Sequence, residues 1–540
     1  MSYTESISLK LVNNTSVDQP IGLLGGTSST YANANNNVLV QWDLSTETFV
    51  GNQVTLNTTT PITKDLLGQN ISGLVQTLNT MNVATFTFQG TTVYASALLD
   101  NSVETANMVI DSNLIDNRII FSVKTDNSGT SASNQFTIPT TGTGYLYDIE
   151  TSDGQTITGL TSGTTITFPS AGAYDVFITG SFPRFFFNNV GDKLKLLELK
   201  NFGTYAEGST SQERAFYGCS NLVISATDVG YFGSVTDFGN AWNNCSSLTS
   251  FPLIDTSSGT NFDSTWSFCS SLTSFPLIDT SSGTNFGFTW TTCNSLVTFP
   301  LIDTSSGTDI SYAWVSCSSL TSFPLLNTSS VTNFTNTWFG CSSLTSFPLL
   351  NTSSGTNFAN TWYGCSSLTS FPLLDTSSGT NFSSTWRNCS SLTSFPLLDT
   401  SSVTIFTGAW YNCSSLTSFP LLDTSSAFNF GSAWFGCSSL TSFPLIDTSS
   451  GTNFGSAWYN CNSLVTFPAN AFDTNIATNY INAFNTTNLS TQSIDDILVS
   501  LDVSGVSNGT FLQSGGSTPS ATGLNAKANL ISKGWTITTT

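Results

Sequence analysis

The chain has 540 residues with 12 Lys or Arg, 33 Asp or Glu, no His and a formal net charge of −21. Charged residues make up 8 % of it, against about 25 % in an ordinary soluble domain, while 12 Trp and 41 Phe exclude a disordered acidic tail. So little basic charge argues against nucleic acid as a partner, and the lack of His removes every imidazole base or ligand.

Residues 1–112 read as an N-terminal α+β domain for attachment or assembly. Segments 6–12, 37–42, 83–88 and 91–94 alternate as strands. Pro61 followed by Leu66, Leu67, Ile71, Leu74, Val75 and Leu78 reads as a helix with Pro in its first turn. The first twelve residues lack a basic stretch followed by a long apolar one, so no signal peptide is expected. No stretch reaches 18 consecutive apolar residues, so no membrane insertion is expected either.

Residues 113–180 read as a small β-sandwich with strands at 119–123, 135–138, 145–149, 165–168 and 173–179. Asp148, Asp153 and Asp175 read as turn and surface residues rather than metal ligands. Residues 181–218 lead into a repeat, and Phe182, Phe185, Phe186, Phe187, Leu194, Leu196, Leu197 and Leu199 are expected to cover its first open end.

Residues 219–470 are an internal repeat. All 11 Cys lie here, and from Cys245 to Cys461 they recur every 24 residues. Leu follows each Cys by three, and in the regular array Phe follows by six and Pro by seven. Trp precedes each regular Cys by three, and Phe precedes it by seven in nine of ten units, Ile310 being the exception. One such unit cannot bury its own apolar face, but stacked units can, which makes a solenoid. The Leu248, Phe251, Leu253 string reads as a short strand with its apolar residues inward, and it is similar to the leucine-rich-repeat string Leu-x-x-Leu-x-Leu. A parallel ladder at about 4.8 Å per unit would give a rod roughly 50 Å long. Segment 261–268 reads as a helical or irregular turn, with Phe262 and Trp266 on one face.

The columns are assigned physically. Cys245, Cys269, Cys293 and Cys317 read as small buried hydrophobes, since a single column and an odd count do not suit disulfides. Trp242, Trp266, Trp290, Phe251 and Phe275 read as core, because ten exposed Trp would be a large apolar stripe; a glycan-binding platform is the competing reading. Asp255, Asp279, Asp303, Asp375 and Asp399 read as turn caps ahead of Thr-Ser-Ser. Asn at 327 and 351 weakens a calcium or glycosidase reading of that column. From Cys245 to Pro468 there are nine acidic residues and one basic residue, Arg387. Variation concentrates just before each Cys, so Phe268, Phe339, Tyr363, Arg387, Tyr411, Phe435 and Tyr459 are the candidate partner contacts. No catalytic, cofactor or metal site is expected. Residues 471–540 break the repeat and read as a capping module, with helices at 493–501 and 524–531 and a strand from Trp535.

The units resemble the BspA-like leucine-rich repeats: Cys341-Ser-Ser-Leu-Thr-Ser-Phe-Pro-Leu-Leu and Asp399-Thr-Ser-Ser-Val-Thr match closely over about residues 183–470. Gly at most positions equivalent to Val403, and Trp rather than Phe or Met before Cys, depart from that pattern. The sandwich resembles the PKD-like, immunoglobulin-type module that often precedes such repeats. The resemblance implies recognition rather than catalysis, in bacterial surface adhesins or bacteriophage structural proteins. The expectation is a multidomain, non-enzymatic, virion-associated fibre or receptor-binding protein, assembled in the host cytoplasm. Residues 1–112 would contact other virion proteins, and the solenoid a host glycan or protein. A purely structural virion protein, a bacterial surface adhesin and a polysaccharide-degrading enzyme with an acidic pair are the alternatives, and homo-oligomerisation is left open.

Overall fold

The computed structural model describes residues 116–540 throughout and, before them, the backbone of nine strands. These are β1 (Ser6–Val12), β2 (Gln19–Leu23), β3 (Thr30–Ala32), β4 (Asn37–Asp43), β5 (Thr48–Phe49), β6 (Val75–Leu78), β7 (Val83–Phe88), β8 (Thr91–Asp100) and β9 (Thr105–Ile110). They form one antiparallel sheet in the order β3-β2-β6-β9-β8-β7-β1-β4-β5. The helix expected from Pro61 is corrected at its C-terminal end. Val75–Leu78 is a strand bonded to β2 on one side and β9 on the other. Two ladder neighbours outweigh the local helical spacing. The rest of that expected helix lies outside the described residues.

Eight further strands follow: β10 (Ile119–Lys124), β11 (Gln135–Thr137), β12 (Leu146–Thr151), β13 (Thr156–Leu160), β14 (Thr165–Thr167), β15 (Ala173–Ser181), β16 (Leu196–Asn201) and β17 (Val223–Ile224). A six-stranded sheet, β13-β12-β15-β10-β16-β17, accompanies the pair β11-β14. Ile119, Phe121 and Val123 of β10 alternate inward, as a half-buried strand requires. β13 went unread because its Thr-Ile-Thr-Gly-Leu is a largely exposed edge strand with no inward row. The sheet does not stop at residue 180: β16 pairs with β10, and β17 adds to it in parallel.

A buried polar node fixes that junction. Asp192 accepts from the Thr130, Ser131 and Thr137 amides at 2.7–3.0 Å and from the Ser131 hydroxyl at 2.6 Å. Lys195 donates to the carbonyls of Ser131, Ala132 and Gln135. Burial opposes the Asp192 charge, but the Ser131 hydroxyl, these amides and Lys195 outweigh it and hold the carboxyl below its ordinary value. A Cβ at Gly129 would lie 2.4 Å from the Asp192 carboxylate, so this turn needs a residue without one.

From Ser211 onward, successive coils stack in parallel. Single bridges join Asn261 to Asn285, Asn285 to Asp309, and so on to Asn479. Segment 261–268 is a run of turns, not a helix. The Phe262, Ser264, Trp266 and Phe268 amides donate to carbonyls of the next coil at 2.7–2.9 Å. Thr265, Ser267 and Cys269 instead donate three residues back within their own coil. The Asp263 amide donates to the Asn261 side-chain oxygen at 3.1 Å, so every amide from Phe262 to Cys269 is satisfied. The geometry needs positive φ at Ser264 and Phe268, +56° and +61°, and at their equivalents in each coil. Asn, Ser and Gly dominate those two columns, as the left-handed region favours.

The strand expected at 248–253 is corrected too. No regular strand forms there, and Leu253 is 59 % exposed. The inward residues are Cys245, Leu248, Phe251 and Ile254, one every third position. A three-residue period is that of hydrogen-bonded turns and then of an extended polyproline-like chain, not of a strand. Pro252 supplies the reason, because it has no amide for a ladder and favours that conformation.

Inside, Trp242 to Trp458 form an unbroken pile with ring centroids 5.2–5.9 Å apart and planes within 10°. Phe251 stands perpendicular between Trp242 and Trp266, at 4.8 and 5.1 Å. The ten indole N–H groups of this pile are buried without a hydrogen-bond partner. Each thiol from Cys245 onward faces a carbonyl of the preceding coil, as Cys269 Sγ does Trp242 O at 3.3 Å. All 11 Cys are free and buried, and burial pushes the thiols up, to about 12 at Cys269 and Cys317.

The C-terminal segment carries the stack on rather than breaking it. β18 (Asn479–Asn485), α1 (Thr491–Val503), β19 (Thr510–Ser514), α2 (Ala521–Ser532) and β20 (Thr536–Thr538) alternate, and the three strands form a parallel sheet. Tyr480 stacks on Phe454 and Phe484 on Trp458, at 5.2 and 4.9 Å, so both aromatic columns gain a further member. The loss of Cys and the longer spacing hid this coil. Ser490 and Ser520 cap the two helices by accepting from Ser493 and Thr522 amides. Among the described residues no helix is long and apolar enough to cross a membrane.

Candidate functional site

The residue two before each Cys follows the buried Trp, so the turn that sends Trp inward sends this residue outward. Six of the seven candidate contacts occupy this column in consecutive coils, and the structure brings them together. Phe339 stacks on Tyr363 at 4.4 Å and 13°. The Arg387 guanidinium lies 5.7 Å from the Tyr363 ring centroid and 3.8 Å from that of Tyr411. Tyr411 stacks on Phe435 at 4.3 Å, and Phe435 on Tyr459 at 4.8 Å. The result is a half-buried outer ladder of five rings with one cation inserted. Such contacts are worth about 0.5–1.5 kcal/mol per ring pair and ~0.5–1 kcal/mol for an exposed cation over a ring.

Between Phe339 and Tyr459 the facing ring surfaces are used by neighbouring rungs, which leaves ring edges along the ladder and one face at each end for a partner. Arg387 makes no salt bridge among the described residues, and its Nε is buried without an acceptor. The same position holds Tyr217 before Cys219 and then Asn243, Ser267, Thr291 and Val315, so four coils without a ring separate Tyr217 from the ladder, which runs from Phe339 to Tyr459.

Phe268 does not join it. It stands one residue later in its coil, in the left-handed column, 48 % exposed and with no ring stacked on it among the described residues. A second outer pair went unread: Phe288 and Tyr312 stack at 4.4 Å from positions five before their Cys. Both have positive φ where other coils use Asn, Ser or Gly. That exchange against backbone preference is a sequence signal that was available.

Asp255, Asp279, Asp375 and Asp399 each accept from the amide and hydroxyl of the Ser two residues on, and Asp303 from the Ser305 amide. Asn327 and Asn351 accept from Ser329 and Ser353 in the same way. A separate column joins coil to coil by side-chain amides, Asn285 Nδ2 donating to Asn261 Oδ1 at 3.1 Å. Asp263 beside it is raised above its ordinary value, by burial first and then by Asp309 and Asp237. Among the described residues no group of three or more Cys, Asp or Glu stands together in a way that could hold a metal ion.

No protein-family model matches the chain, and no curated protein does. Among solved structures, one similar chain is that of the crystal structure of the TLR13–ssRNA13 complex, at 13 % identity and a TM-score of 0.19. The match covers 57 % of this chain and about half, 49 %, of that one. The architecture above therefore rests on the chain's own hydrogen bonds and packing: mostly β, with few helices and stacked repeat coils.

Proposed function

We propose that the chain is a non-enzymatic, virion-associated fibre or receptor-binding protein. In this reading residues 1–112 attach it to the particle, and the coils form a leucine-rich-repeat-type solenoid of the BspA-like kind behind a PKD-like sandwich. The coil array presents its neutral Ser, Thr and Asn surface and the outer ladder to a host glycan or protein. The observation that carries the reading is the ladder from Phe339 to Tyr459: it spans six coils and is absent from the earlier coils with the same buried columns. Structure alone does not require it, and ring edges beside one unpaired guanidinium suit hydrogen bonding and charge recognition.

The test is adsorption. Purified chain is expected to compete with intact particles for host cells, and cross-linking in the particle is expected to join residues 1–112 to another virion protein. Full adsorption in the presence of saturating chain, or cross-links from that segment to no virion protein, contradicts the proposal.

A further inference from the structure

We propose that the coil array has a self-association face, a row of exposed leucines on which a second copy of this chain docks in parallel. The row starts at Leu253 and recurs every 24 residues through Leu445, nine leucines in nine consecutive coils, each 51–63 % exposed. Its backbone is held firmly: Phe251 and Ile254 on either side are buried, and the Asp255 cap fixes the following turn.

Three observations name the occupant. The first is area. Nine half-open leucines in one line expose on the order of 1,000 Å², beyond the ~300–600 Å² of a typical monomer's largest apolar patch and comparable to the ~800 Å² each partner contributes to a standard interface. The second is pitch. A row with one residue per coil repeats at the coil spacing, which in the adjoining Phe251 column is 5.6–6.3 Å between ring centroids, whereas an α-helix turns every ~5.4 Å. A partner of different pitch falls out of register within a few rungs; a second copy of the same row stays in register along all nine.

The third is charge, and it sets the orientation. Each leucine is flanked on one side by exposed hydroxyls, Thr249 and Ser250 in the first coil, and on the other by the Asp255 column, which holds seven Asp and two Asn. A two-fold axis along the row places each carboxylate column opposite the partner's hydroxyl column. A two-fold axis across the row places the two carboxylate columns together, where like charges repel. The parallel arrangement also leaves both N-terminal segments at one end.

Sedimentation of the full chain tests the proposal first. The intact protein is expected at twice the chain mass. A Leu325→Ser, Leu349→Ser, Leu373→Ser variant is expected as a folded monomer with the thermal midpoint of the intact chain diluted until it dissociates, since these side chains are outside the core and only the association contributes to the difference. Orientation is read by oxidation of Leu277→Cys, because the native thiols are buried. In the parallel dimer residue 277 faces itself and cross-links; in an antiparallel one it faces residue 421. A monomeric intact chain overturns the proposal, as does a variant that stays dimeric. So does cross-linking seen only when Leu277→Cys is mixed with Leu421→Cys. The cross-link also decides the matter if the triple variant fails to fold.

Discussion

Trp362 and Tyr363 are neighbours in the chain, and each stacks on rings from adjoining coils, yet they belong to different kinds of ladder. The inner one is filled by Trp in every regular coil and is wholly buried. The outer one changes residue from coil to coil, and from Cys245 onward it is aromatic only from Phe339. A position that every coil fills alike is set by the needs of the coil. A position that varies within one chain, on one backbone, is free of those needs and open to a use specific to its place.

That contrast predicts a graded set of outcomes. The largest concerns the inner ladder: Trp338→Ala is expected to cost about 3–5 kcal/mol, the range for emptying a large aromatic site, and to uncouple unfolding of the coils on either side. Chemical denaturation with two separated transitions would show this; one unshifted transition would break the contrast. The thiols give the next test. Because burial raises them and those from Cys245 onward each face a carbonyl, none of the 11 is expected to react with an aromatic disulfide in the native chain. All are expected to react after unfolding, and rapid native labelling would contradict the packing.

Tyr363→Ala in the outer ladder is expected to cost no more than about 1.5 kcal/mol, the loss of one ring contact and part of a cation contact, read as a small shift in thermal midpoint. The smallest effect belongs to the caps: Asp375→Asn is expected within about 0.5 kcal/mol at neutral pH, because Asn351 makes the same bonds. Its signature lies in acid. The Ser377 hydroxyl and amide hold Asp375 below its ordinary 3.8. Its contribution is thus present above that value and is lost as pH falls through the lower folded value. The Asn variant is expected to lack that loss.

Much of the interior was legible in the sequence, because a 24-residue period allows each column to be read ten times. Cys, Trp and Phe fell where the period places them. Legibility failed where one rule was applied to a neighbour it does not govern. Strand alternation places Leu253 inward, but Pro252 sets a three-residue period that turns Ile254 inward instead. Val75–Leu78 looked helical in isolation and pairs on both sides in the sheet. The coil at Asn479 was hidden by the absence of Cys, although Asn-Tyr with Phe four residues on repeats the Asn-Phe and Trp of the coil before. Of the candidate contacts, six share one column and meet; Phe268 is one residue out of phase, and in a coil one residue changes the face.

The central claim is that the outer ladder recognises a partner while the inner one holds the coils. It is tested most directly by giving three outer positions the residues that earlier coils carry there: Tyr363→Ser, Arg387→Thr and Tyr411→Asn together. Thermal midpoint and binding to host cells are measured on the same preparation. The account predicts a midpoint shifted by only a few degrees and binding lost; binding retained on a folded chain would contradict it.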